Sequence, residues 1–160
     1  MLETLLPGVY HLQNIHSLVV HFPIAFLMGA ALFYILAWIS KSDRMSFTAF
    51  AVLIFGVIGA ATAVGTGLYA EDGVMVSFSL REHLLDRHEQ FMLATLGVSV
   101  VLLIWAVFAQ PFPRKGRPFF ILLFLVLLGM MTVGADYGAR MVYDYNAGGN
   151  ACSQPIEFTR

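Results

Sequence analysis

Ile15-His16-Ser17-Leu18-Val19-Val20-His21-Phe22-Pro23-Ile24-Ala25-Phe26-Leu27-Met28-Gly29-Ala30-Ala31-Leu32-Phe33-Tyr34-Ile35-Leu36-Ala37-Trp38-Ile39 is a run of twenty-five residues without one Lys, Arg, Asp or Glu. A helix rises 1.5 Å per residue, so about 20 apolar residues cross the roughly 30 Å hydrocarbon core of a bilayer. Three further apolar stretches follow, Phe47 to Ala70, Phe91 to Ala109 and Phe119 to Ala135. The expected fold is therefore an all-α membrane protein, a four-helix up-down-up-down transmembrane bundle with short connections.

Composition agrees. Of 160 residues, 59% are hydrophobic and 12% charged, against about a quarter charged in a soluble domain. Residues 1–143 read as one membrane domain. The Gly-rich polar tail, 144–160, is too short to fold alone and is expected to dock on a partner. The first ten residues contain Glu3 and no Lys or Arg, so no basic leader precedes the first span, which reads as a retained anchor. The net charge of −1 and the lack of a basic cluster give no reason to expect nucleic acid. Cys152 is the single cysteine, which excludes an internal disulfide and a CxxCH heme attachment.

Loop charge sets the orientation. Lys41 and Arg44 flank the first short loop, and Arg114, Lys115 and Arg117 crowd the third. The middle loop mixes Glu71, Asp72, Glu82, Asp86 and Glu89 with Arg81 and Arg87. By the positive-inside rule, loops one and three face the cytoplasm and both termini face outside. All five histidines then lie on the outer side.

Four of them form two pairs with the same spacing, His16 with His21 and His83 with His88, each where an apolar span begins. Helices one and three of an up-down bundle lie diagonally, so these imidazoles face each other across its middle. That is the geometry from which bundles build bis-histidine heme sites. Five residues turn a helix by about 140° and advance it about 7.5 Å. One member of each pair can point inward while the other points elsewhere. The deeper pair, His21 and His88, is the preferred choice for heme iron, with His16 and His83 open as a second site. Arg81, Arg87 and Arg140 lie on the same side and are placed to pair with propionates. If all four imidazoles turned inward, a non-heme metal would be an alternative. The bland reading is that boundary histidines meet headgroups or water, which suffices for His11.

Pro23 removes a backbone donor two residues after His21, so a kink or the true helix start is expected there. Gly56, Ala60, Ala63 and Gly67 form a small-residue stripe on the second span, ordinarily a helix-packing face and alternatively a cofactor face. Leu80, Leu84, Leu85 and Phe91 alternate with charges as an amphipathic lead into the third span. Asp136 and Arg140, spaced i,i+4, suggest an ion pair. Trp38 and Trp105 at one end, and Tyr137, Tyr143 and Tyr145 at the other, fit interfacial belts.

The segment His16 to Ala25, HSLVVHFPIA, resembles the HPxxVHFPIA-like motif of a bacterial membrane family, domain of unknown function 2231. This chain has Ser17 where that family commonly has proline. The resemblance continues through Gly67-Leu68, His88 and the Gly134 to Tyr143 segment. It implies a four-helix protein of the bacterial inner membrane, found near redox proteins and linked to heme, and it carries over His16, His21 and His88.

Together these observations predict a small b-type membrane cytochrome with one or two hemes, exchanging electrons with quinol or with other membrane or periplasmic redox subunits. The alternative is a cofactor-free accessory subunit of a larger respiratory or photosynthetic complex. A transporter is disfavoured, because the spans hold no central acidic residue and no broken-helix pair.

Overall fold

A computed structural model describes residues 15–71 and 81–145. Described residues are helical apart from short turns: α1 (His16–Val19), α2 (His21–Ser40), α3 (Asp43–Glu71), a π-helical turn (Arg81–Leu85), α4 (Asp86–Ala109) and α5 (Arg117–Tyr145). Four segments are long and apolar enough to cross a membrane, His16–Ser40, Asp43–Glu71, Glu82–Ala109 and Arg117–Tyr145. They run beyond the charge-free windows of the sequence. Spans two to four are 28 or 29 residues long, where about 20 would do, so helix continues into polar sequence at the ends. Residues 1–14, His11 among them, and the tail expected to dock, from 146 on, lie outside the described residues.

Each helix packs on its sequence neighbours, and α5 closes the ring against α2. Contacts fix the directions. Gly56 lies against Leu27, Gly59 against Pro23 and Gly67 against His16, so α3 runs antiparallel to the first span. Likewise Gly134 lies against Met92 and Gly138 against His88, making α4 and α5 antiparallel. His16 meets His88 near the start of spans one and three, while Tyr34 reaches Pro111 just past the end of α4. Those two diagonal spans therefore run parallel.

Between α1 and α2 stands a single turn residue, Val20, whose backbone stays right-handed helical (φ −59°, ψ −24°) and whose N–H still donates to the His16 carbonyl (3.1 Å). Pro23 has no N–H for the Val19 carbonyl and its ring crowds that carbonyl, which takes one bond out of the ladder without ending the span. The small stripe on α3 is a packing face: Gly56, Ala60 and Ala63 are buried. A Cβ on Gly59 would lie 3.1 Å from the Pro23 nitrogen, so the two backbones touch there.

The core concentrates at the end away from the histidines. Tyr34, Phe120 and Phe124 are fully buried, with Phe112 beside them. Tyr34 packs on the Phe112, Phe120 and Phe124 rings at centroid distances of 5.1, 4.8 and 5.6 Å, and its hydroxyl donates to the Pro111 carbonyl (3.2 Å). The buried polar handle is thus satisfied. Trp105, half-buried near the end of its span, packs edge-on against Phe120 at 5.5 Å and over Gly116. Gly116 has φ +91° and would bring a Cβ to 3.2 Å from the indole, so the turn needs glycine twice over.

At the other end Leu84, Leu85 and Met141 form a small second core with Tyr137, so the amphipathic lead of span three folds onto the extension of α5. Arg140 pairs with Asp144 (3.7 Å), not with the expected Asp136. Both i,i+4 partners are within reach along the helix. Between exposed groups at that distance the pair contributes little.

Candidate functional site

The imidazoles of His16 and His88 come together across the bundle diagonal. Their ring centroids lie 6.3 Å apart and their planes are nearly perpendicular, at 85°. Both rings are partly buried. Counting about 20 residues back from the far end of each span reaches Gln90 on span three and His21 on span one, so His88 lies near the boundary of the hydrocarbon core and His16 about a turn farther out.

Each ring is held by its Nδ1. His88 Nδ1 lies 2.7 Å from the Gly134 carbonyl oxygen. A carbonyl can only accept, so Nδ1 carries the proton and donates. His16 Nδ1 lies 3.2 Å from Thr66 Oγ1. That hydroxyl already donates to the Ala63 carbonyl (3.0 Å), so it accepts from His16 Nδ1–H. In the neutral form both rings therefore leave Nε2 with its lone pair, the tautomer suited to a ligand.

A glycine backs each ring. A Cβ on Gly67 would lie 3.0 Å from His16 Cε1, and one on Gly138 would lie 2.9 Å from His88 Cε1. Each is on the antiparallel partner helix, so the two helical hairpins present the same device: a histidine, a bonded Nδ1 and a glycine behind the ring.

The two histidines also share a register. Residues 7, 11, 14 and 18 beyond His16 are Pro23, Leu27, Ala30 and Tyr34, all buried. The same offsets from His88 give Thr95, Ser99, Leu102 and Ala106, also all buried. At about 100° per residue these offsets fall on one helix face, so His16 and His88 belong to the core-facing stripes.

The other expected site residues stand apart. His21 is exposed, with Nδ1 3.4 Å from the Leu18 carbonyl. Thus the preferred pairing of His21 with His88 is not the one the bundle brings together. His83, on the π-helical turn, is exposed, as are Arg87 and Arg140. The side chain of Arg81 lies outside the described residues. The sequence reading does not single out Thr66, Gly67, Gly134 and Gly138 as partners of the histidines; the common register marks only which histidines turn toward the core.

Among the described residues no three His, Cys, Asp or Glu side chains converge in a way that would hold a metal ion. The arrangement offers two imidazoles close together, edge to face, and among the described residues no chelating cage. No curated protein and no solved structure matches the chain. The family model described as "Predicted membrane protein (DUF2231)" matches residues 12–151, which takes in the HSLVVHFPIA segment and all four spans, and the chain belongs to that family.

Proposed function

We propose that this protein is a membrane electron-transfer protein that binds one heme b between His16 and His88, at the outer face of a bacterial cytoplasmic membrane. The observation that carries the reading is the perpendicular imidazole pair, 6.3 Å between centroids, with both Nδ1 atoms already engaged as donors. Two imidazoles on one metal, each bond about 2 Å, set the ring centres about 6 Å apart once the nitrogen-to-centre distance is added. A second-shell acceptor on Nδ1 is the usual companion of a ligating histidine, fixing its tautomer and raising its basicity. Two imidazoles would suffice to hold a heme, whereas a structural zinc site wants four protein ligands.

The bound group would supply one-electron redox chemistry at its iron. The chain's own residues do the rest. His16 and His88 would hold the iron, while Thr66 and the Gly134 carbonyl orient the rings. Gly67 and Gly138 let the neighbouring helices approach the imidazoles without crowding them. The buried Leu84, Leu85 and Met141 keep part of this end dry. Lys41, Arg44, Arg114 and Lys115 are exposed at the opposite end, which supports an outer-facing site. Quinol dissolved in the bilayer or a periplasmic carrier above it would be the exchange partners. A second heme at His21 and His83 finds no support in the placement of those exposed side chains.

Protein purified in detergent should give a pyridine hemochrome of heme b, near one heme per chain, and a sharp α band on reduction. A colourless preparation from heme-replete cells would leave the histidine pair as a structural contact in a cofactor-free accessory subunit.

A further inference from the structure

Resting on that heme reading, we infer that His16 is the detachable member of the pair, and that the site accepts a small neutral ligand of the carbon monoxide type in its place. The two histidines are held unequally. His88 sits within the unbroken helix Asp86–Ala109 and donates to a backbone carbonyl at 2.7 Å. His16 opens the first span, in the turn His16–Val19 that precedes Val20. Its Nδ1 donates to a side-chain hydroxyl at 3.2 Å.

A carbonyl fixed in a helix ladder is a stronger acceptor than a hydroxyl on a side chain, and the shorter bond raises the basicity of the opposite nitrogen. His88 is therefore the stronger donor to iron. Pro23 leaves the Val19 carbonyl without its ladder bond, so the first turn is tied to the rest of the span by one bond fewer than in an ordinary helix. In the exchange, the bond from iron to His16 Nε2 breaks and a bond from iron to the incoming carbon forms. The imidazole leaves neutral, keeping its Nδ1 proton, and no electron moves.

The test uses reduced holoprotein, its heme content first fixed by pyridine hemochrome, mixed with carbon monoxide and followed at the Soret band. The wild type should take up carbon monoxide slowly, at a rate set by departure of His16. Thr66→Val should quicken uptake about tenfold, the scale of a lost outer-shell contact. His16→Ala should keep its heme, turn high-spin and take up carbon monoxide without delay, while His88→Ala loses most of its heme. A heme-loaded wild type that excludes carbon monoxide would overturn the inference and leave the heme reading standing. Equal heme loss in the two alanine variants, or the reverse pattern, would do the same. Absence of heme in the wild type would remove both.

Discussion

The two ends of the bundle solve the same packing problem in opposite ways. Where the basic loops lie, the space between helices is filled by Tyr34, Phe112, Phe120 and Phe124, ring against ring, with the Tyr34 hydroxyl bonded to Pro111. At the other end Tyr34's counterpart along the stripe is His16, and the facing residue is His88. Glycines stand behind both rings, and the ring nitrogens are tied to a hydroxyl and a backbone carbonyl. One end is closed by volume. The other holds two polar rings close together, each with a lone pair left over, which a bundle kept only for stability has no need to do.

If that contrast is right, damage at the two ends should separate stability from cofactor binding. The largest effect on folding is expected at the aromatic end. Tyr34→Ala removes a fully buried ring and should cost about 3–5 kcal/mol, the scale of large aromatic truncations. Thermal unfolding in detergent reads this, and the absorption spectrum of the surviving folded fraction should be unchanged. A Tyr34→Ala protein as stable as wild type would remove the claim that this end anchors the bundle.

At the histidine end the order reverses. Gly138→Val drives a side chain into the His88 ring, where even a Cβ would sit 2.9 Å away. Heme affinity should fall by about tenfold or more, while helical content measured by circular dichroism stays near wild type. Full heme retention would show that the glycine is not what admits the ring. Least affected should be Arg140→Ala. Its pair with Asp144 is exposed and 3.7 Å long, so stability should move by less than about 0.5 kcal/mol.

The four spans and their directions were legible because bilayer thickness imposes its length on the sequence. The diagonal relation of spans one and three followed from short connections, and the five-residue spacing correctly limited each pair to one inward member. Depth was the wrong guide to which member. What turns His16 inward is register: it lies eleven residues before Leu27 and eighteen before Tyr34, on the stripe that packs the core. His21, five residues on and about 140° round the helix, is off that stripe. The Gly134 acceptor was beyond reach for a different reason. A backbone carbonyl leaves no mark on residue identity, so the best trace is the Gly134 and Gly138 spacing that lets α4 lie close.

The most direct test compares two double variants purified alongside the wild type, His16→Ala/His88→Ala and His21→Ala/His83→Ala, by reduced-minus-oxidised absorption spectra and hemochrome content. The account predicts that the first loses its heme while keeping its helical content, and that the second is indistinguishable from wild type. Heme retained by the first variant and lost from the second would contradict it.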